Sequence, residues 1–219
     1  MGCEDKETCS LDEFVCLAPP STLPVMEIFQ SIQGEGTHMG QMVTFIRLAG
    51  CNLRCPWCDT KGSWDAVGKD QTILEILAYV PPGAPVVITG GEPTIHEYEL
   101  TELITALHAH GCYVMIETNG TNAVPWNVDW VVASPKPPFY KIHPHLRPNE
   151  LKYVVADGFD AEKAIPEEVR EIFKGSIWLQ PDGTNSQTME AAWRECYRLA
   201  EEDGRLRVGV QLHKLMEVQ

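Results

Sequence analysis

The stretch from Val43 to Thr60, VTFIRLAGCNLRCPWCDT, runs an apolar, β-branched segment into three cysteines, Cys51, Cys55 and Cys58, that fall within eight residues. An apolar run of that length, closed by a glycine, reads as a buried strand. The thiols therefore leave a sheet at the carboxyl end of a strand, where open α/β sheets place their ligands. A structural zinc loop closes its shell with four protein ligands. This loop offers three thiols, which leaves two readings. Either the soft sulfurs hold three corners of a cubane 4Fe-4S cluster with one iron open to a small molecule, or zinc is completed by Asp59 or a distant histidine.

Outward from this stretch, further short apolar runs begin at Val25 (VMEIF), Val86 (VVIT), Tyr113 (YVMIET), Trp130 (WVVA), Leu151 (LKYVVA), Ser176 (SIWLQ) and Arg207 (RVGVQLH). Helical periodicity covers 72–80, 98–110, 166–174 and 187–203. In the last segment Met189, Trp193, Cys196, Tyr197 and Ala200 fall on one helix face, which makes Cys196 a core residue rather than a ligand. Cys112, beside a strand, reads the same way. Strands alternating with helices imply right-handed βαβ crossovers and a mainly parallel sheet. There are too few helices for an eightfold barrel, so the expected fold is α/β, a partial, open βα barrel of reduced helix content. Residues 1–24 are acidic, contain prolines and show no sustained period. They read as a flexible tail, with Cys3, Cys9 and Cys16 loosely spaced, ahead of a single domain over 25–219.

Charge narrows the function. A formal net charge of -14 without any run of Lys and Arg repels a phosphate backbone and argues against nucleic acid as partner. No apolar run reaches membrane-spanning length, and the first residues lack the layout of an export signal. The expected address is cytoplasmic, with reduced thiols.

Other segments converge on the same end of the sheet. VVITGGEPT places Gly90, Gly91 and Glu92 at a strand end, where missing side chains let a ligand approach the backbone and Glu92 can accept from an ammonium. ETNGT from Glu117, SPK from Ser134 and QPDG from Gln180 add polar groups at three more strand ends.

The Cys-x3-Cys-x2-Cys spacing resembles the radical S-adenosylmethionine superfamily, in which the cosubstrate's methionyl amino and carboxylate groups chelate the open iron. With FQSIQGEG, FIRLAGCNLRCPWCDT, TGGEPT, ETNGT, SPK and VQLHK together, residues 25–219 resemble its 7-carboxy-7-deazaguanine synthase family. The resemblance implies a homodimeric radical lyase that turns 6-carboxy-5,6,7,8-tetrahydropterin into 7-carboxy-7-deazaguanine with loss of ammonia. It needs a 4Fe-4S cluster, S-adenosylmethionine, Mg2+ and an electron donor such as flavodoxin or ferredoxin. No side chain does the radical chemistry itself; Arg47 and Glu35 position the substrate.

The same resemblance implies substrate contacts for Ile32, Gln33, Gly34, Arg47, Thr89, Glu117, His213 and the chain-terminal carboxylate of Gln219. The planar fork of Arg47 suits a carboxylate. Trp57, Cys58, Asp59, Gly91, Glu92, the segment Ser134, Pro135 and Lys136, and the segment Gln180, Pro181, Asp182 and Gly183 would surround S-adenosylmethionine. Thr60 would ligate Mg2+ through a hard oxygen. The ending LMEVQ and the segment PPFYKIHPHLRP, residues 137–148, depart from what these motifs explain. Two alternatives stand beside this reading: an activating enzyme for a glycyl-radical partner, and a non-catalytic module stapled by its metal.

Overall fold

Along the strands that reach the site, alternate residues face two different environments. Ile46, Leu48, Ile88, Ile116, Tyr153, Val155 and Leu179 belong to a large core shared with Leu100, Leu103, Ile104 and Leu107. Their intervening neighbours Val43, Val87 and Met115 form a second, smaller cluster with Phe45 and Trp130. A parallel strand covered on both faces must be apolar in both registers, and these strands are. Each fully buried Leu or Ile contributes about 1.5–3 kcal/mol, so the helix side of the sheet fixes the frame.

The computed structural model describes residues 20–65, 68–183 and 186–219. Its elements are β1 (Thr22–Ile32), β2 (Met42–Leu48), β3 (Lys69–Thr72), α1 (Ile73–Leu77), β4 (Val86–Gly90), α2 (Glu97–Ala109), β5 (Val114–Thr118), β6 (Trp130–Ala133), β7 (Glu150–Val155), α3 (Ala161–Ala164), α4 (Glu167–Ile172), β8 (Ser176–Pro181), α5 (Ser186–Glu202), β9 (Leu206–Val208) and α6 (Leu212–Leu215). The strands form one sheet in the order β3, β1, β2, β4, β5, β6, β7, β8, β9. From β2 to β9 every pairing is parallel, while β1 runs antiparallel to both β2 and β3. The outer strands β3 and β9 do not meet, so the barrel is open. The connections from β5 to β6 and from β6 to β7 carry no helix, which accounts for the low helix content.

Several boundaries differ from those read in the sequence. Strand β1 starts at Thr22 and includes Pro24, which pairs with Asp70 of β3; an edge pairing tolerates the missing N–H. The tail cysteines Cys3, Cys9 and Cys16 lie outside the described residues. β3 went unread because KDQT is polar throughout. The segment RVGVQLH is not one long strand: β9 ends at Val208, and α6 turns the chain back toward the sheet. On α5 the buried face is Ala192, Cys196 and Leu199, while Met189, Trp193 and Tyr197 are exposed. Small side chains let the helix lie close to the sheet there, so apolar size misjudged which stripe is covered. Burial pushes the Cys196 thiol up to about 12, in keeping with a core residue.

Candidate active site

The carboxyl ends of β2, β4, β5, β6, β7 and β8 surround a cavity of about 320 Å³. At one end lies the cysteine loop, whose Cys51, Cys55 and Cys58 are half-buried and line the wall. Main-chain bonds set its course: Gly50 N donates to Ser63 O at 2.8 Å and Cys51 N to Trp64 O at 3.1 Å. The Asn119 side-chain amide donates to Asn52 Oδ1 at 2.8 Å and ties the loop to the end of β5. Gly90 has φ +135°, and a Cβ there would strike the Leu48 carbonyl, as one on Gly91 would strike Gly50. The double glycine lets the end of β4 lie flat against the root of the loop.

The thiols fit an iron-sulfur cluster on two observations. Burial pushes Cys51 and Cys55 up, and thiol neighbours add to the effect, so thiolates form there once a metal supplies positive charge. Cys51, Cys55 and Cys58 are half-buried and line the same cavity, and three soft sulfurs suit iron-sulfur ligation. Asp59, the candidate fourth zinc ligand, is turned to Lys214 Nζ at 3.2 Å. The Trp57 indole N–H is shut off from solvent and has no partner in the protein, which suits an acceptor on a molecule bound beside the cluster.

At the other end, polar side chains are paired with one another. Lys152 of β7 donates to Glu35 Oε2 at 2.6 Å and to Glu117 Oε2 at 2.5 Å. Gln33 Nε2 donates to Glu117 Oε1 at 3.1 Å, and Gln211 Nε2 to Glu35 Oε1 at 2.7 Å. Burial works against the charges of Glu117 and Lys152. For Glu117 the nearby Lys152 more than offsets it, leaving the carboxyl below the usual range. The two carboxylates likewise hold Lys152 well above the ordinary lysine range. Burial and the Lys152 charge push Lys136 down. Burial also lowers His213, so its imidazole is neutral at physiological pH.

Arg47 Nε donates to Glu27 Oε1 at 2.7 Å, and its guanidinium lies 5.8 Å over the Phe29 ring. It therefore pairs with an acid while lining the cavity. Gln219 folds back: its main-chain oxygen accepts from the Ser31 hydroxyl, and its side-chain amide donates to Glu27 Oε2 at 2.9 Å. Gly34 packs so tightly under His213 that a Cβ would enter the ring, and Leu212 N donates to Gly34 O at 2.9 Å.

Ile32, Gln33, Glu35, Arg47, Thr89, Glu117, His213 and Gln219 thus line one cavity, together with Trp57, Asp59, Thr60, Gly91, Ser134, Lys136 and Gln180 to Gly183. Gly34 and Pro135 lie outside this lining. Glu92 is a clear departure. It is completely buried and lies outside the lining; Oε1 accepts from Thr94 N and Oγ1 and from Thr118 Oγ1, and Oε2 from Asn119 N at 2.6 Å. Lys152 went unread, although a lysine inside the buried run LKYVVA is itself a signal, since a charge is buried only with partners. Reading RVGVQLH as a strand hides the turn that brings Gln211 to the cavity, and Lys214 lies just past that run on α6.

Residues 45–128 match the family model of the radical SAM superfamily. The chain is 36% identical over 200 residues to the 7-carboxy-7-deazaguanine synthase of Bacteroides thetaiotaomicron, covering 89% of this chain and 98% of that one. It is 35% identical to the Aquifex aeolicus enzyme of the same name, covering 88% of this chain and 93% of the other. The crystal structure of QueE from Escherichia coli superposes with a TM-score of 0.69 at 30% identity, over 88% of this chain and 95% of that one.

Proposed function

The chain belongs to the 7-carboxy-7-deazaguanine synthase family of radical S-adenosylmethionine enzymes, and from that premise we propose that it converts 6-carboxy-5,6,7,8-tetrahydropterin to 7-carboxy-7-deazaguanine with release of ammonia. It is a lyase of queuosine biosynthesis that uses a 4Fe-4S cluster and S-adenosylmethionine. Similarity over most of the chain to synthases of this name sets aside the glycyl-radical activator and the metal-stapled module. One observation carries the substrate reading: the thiol loop and a cluster of two carboxylates, a lysine and an arginine share a single cavity.

When bound, the cluster and S-adenosylmethionine supply one-electron cleavage of a carbon–sulfur bond and the hydrogen abstraction that follows. The chain's own residues bind, orient and exclude water. Arg47 grips the pterin carboxylate, keeping Glu27 as a backing partner. Glu117, held ionised by Lys152, and Glu35 accept from the N–H donors of the pterin edge. Ile32, Gln33, Thr89, the neutral His213 and the main-chain end of Gln219 complete the substrate wall. Trp57 to Asp59, Gly91, Ser134 to Lys136 and Gln180 to Gly183 surround the cosubstrate. Glu92 acts one layer back, fixing the Asn119 turn that holds Asn52 of the cysteine loop.

Thr60 would give Mg2+ a hard oxygen, with water and substrate completing its shell. The family resemblance supports a homodimer and a flavodoxin or ferredoxin as electron donor, and the reduced thiols support a cytoplasmic address. The test is anaerobic reconstitution with iron, sulfide, Mg2+, S-adenosylmethionine and the carboxytetrahydropterin, followed by mass spectrometry for the deazaguanine product. Formation of 5′-deoxyadenosine without that product would move the enzyme to another radical substrate.

A further inference from the structure

The connection from β6 to β7, residues 134–149, lines the cavity with Ser134 and Lys136 and then leaves it. Its Tyr140, Ile142 and Leu146 pack on the main core, and His143 N donates to Gly120 O at 2.8 Å. Held by those anchors, Phe139, Lys141, His145 and Arg147 stand exposed, with Lys141 Nζ 5.1 Å over the Phe139 ring. Arg147 Nη1 donates to the Pro144 and Leu146 carbonyls at 2.8 and 2.9 Å, which fixes its guanidinium against its own backbone. Gly120 adjoins Asn119, and Asn119 holds Asn52 next to Cys51. One turn of chain thus separates this segment from the thiol loop, where the Arg54 side chain, paired with Asp65 at 3.3 Å, is 51% exposed.

Charge sets this surface apart. The chain has 31 acidic and 17 basic residues, yet between Thr118 and Asn149 the only carboxylate is Asp129, against Lys136, Lys141 and Arg147. Asp129 is itself paired with His108 at 2.9 Å. Arg194 and Arg198 on α5 and Arg205 in the turn after it each bridge to glutamates, whereas among the described residues Lys141 and Arg147 have no carboxylate partner. A strongly acidic protein repels an acidic partner over most of its surface, so an unpaired cationic face beside the redox loop selects one approach. An exposed aromatic with a guanidinium is also the composition of an interface centre.

Resting on the radical reading above, we propose that Lys141, His145 and Arg147, flanked by Phe139 and Arg54, form the docking surface for a small acidic electron-carrier protein. The carrier gives up one electron and is oxidised by one; the 4Fe-4S cluster takes up that electron and is reduced by one.

The test drives the reconstituted enzyme with either flavodoxin hydroquinone or dithionite, and measures binding of oxidised flavodoxin to the holoenzyme by titration calorimetry. In the doubly substituted Lys141→Glu, Arg147→Glu enzyme, flavodoxin-driven turnover at low salt should fall at least about tenfold, while dithionite-driven turnover stays within about twofold. Flavodoxin binding should weaken in step and lose most of its salt dependence. Lys174→Glu, an exposed change just past α4, should leave flavodoxin-driven turnover as it was. The inference is overturned if both reductants slow together, if flavodoxin binds the double variant as tightly as the parent, or if Lys174→Glu has as large an effect as Arg147→Glu alone. Loss of the deazaguanine product from the parent enzyme under dithionite would instead sink the proposed reaction, and the calorimetry would still report on docking.

Discussion

At the cysteine end of the cavity Cys51 and Cys58 accept main-chain N–H groups at 3.4 Å and the Trp57 N–H has no protein partner, whereas at the pterin end charged side chains are bound to one another. Three half-buried thiols line the cavity beside Trp57, positioned mainly by backbone bonds and by the Asn52–Asn119 contact. Opposite them, Gln33, Glu117, Lys152, Glu35 and Gln211 form one continuous chain of hydrogen bonds. The first arrangement suits a permanent cofactor whose metal and acceptor atoms complete the shell. The second keeps charged groups satisfied while no substrate is present, so that a ligand exchanges partners with a network already in place. Stability should therefore depend on the second end and turnover on both.

The largest expected effect separates the ends outright. Cys55→Ala should abolish product formation, and the purified apoprotein should keep the far-ultraviolet circular dichroism and thermal midpoint of the unsubstituted apoprotein. If the variant unfolds, the thiol loop is a structural staple and the contrast fails. Lys152→Met does the reverse, since it leaves two buried carboxylates facing each other. Removing one partner of a buried charge set costs about 3–5 kcal/mol, measurable as a fall in the urea midpoint. Lys152→Arg should recover part of that loss. If Lys152→Met is no less stable than the parent, the pairs at 2.5 and 2.6 Å contribute nothing and the second half of the comparison is wrong.

The same contrast explains what could be read from the sequence. The cysteine end is contiguous: its three thiols, Trp57, Asp59 and Thr60 lie on one loop that follows a strand, so spacing alone located it. The partial barrel was legible because strands buried on both faces show as uninterrupted apolar runs. The pterin end comes from the β1–β2 loop, β2, β5, β7 and the turn before α6, and only folding assembles it. Lys152 looks like a surface lysine until its two carboxylate neighbours, from distant parts of the chain, are in place. Glu92 was assigned to the cavity because position at a strand end does not reveal which way a side chain turns. Here four hydrogen bonds turn it into the protein.

A smaller effect belongs to Arg47, which stands at the pterin end but pairs with Glu27 through Nε alone. Arg47→Lys keeps the charge and loses the fork, so kcat/KM for the pterin should fall about 10–100-fold, chiefly through KM. Replacing the substrate carboxylate with an amide should cost the parent enzyme as much and the variant little more. Equal further losses in both enzymes would mean that Arg47 does not meet that carboxylate.

The smallest effect concerns acid stability, and its sign follows from the direction of each shift. Glu117 has a native pKa below its unfolded value, so its contribution is complete above about pH 4.3, the ordinary glutamate value, and is lost as pH falls through the lowered native value. Lys152 is raised in the native state; its contribution is complete below about pH 10.4 and is lost only as pH rises beyond it. Across the neutral range the cluster adds a constant, and the midpoint should stay flat with pH as far as these groups decide it. Below about pH 4.3 the parent should lose stability more steeply than Glu117→Gln, which has no charge there to protonate. Cys55→Ala should follow the parent on this limb, because a thiol is uncharged throughout it. Urea midpoints of the three apoproteins through the acid range settle the matter: if Cys55→Ala flattens the limb as Glu117→Gln does, the two ends of the cavity are not electrostatically separate.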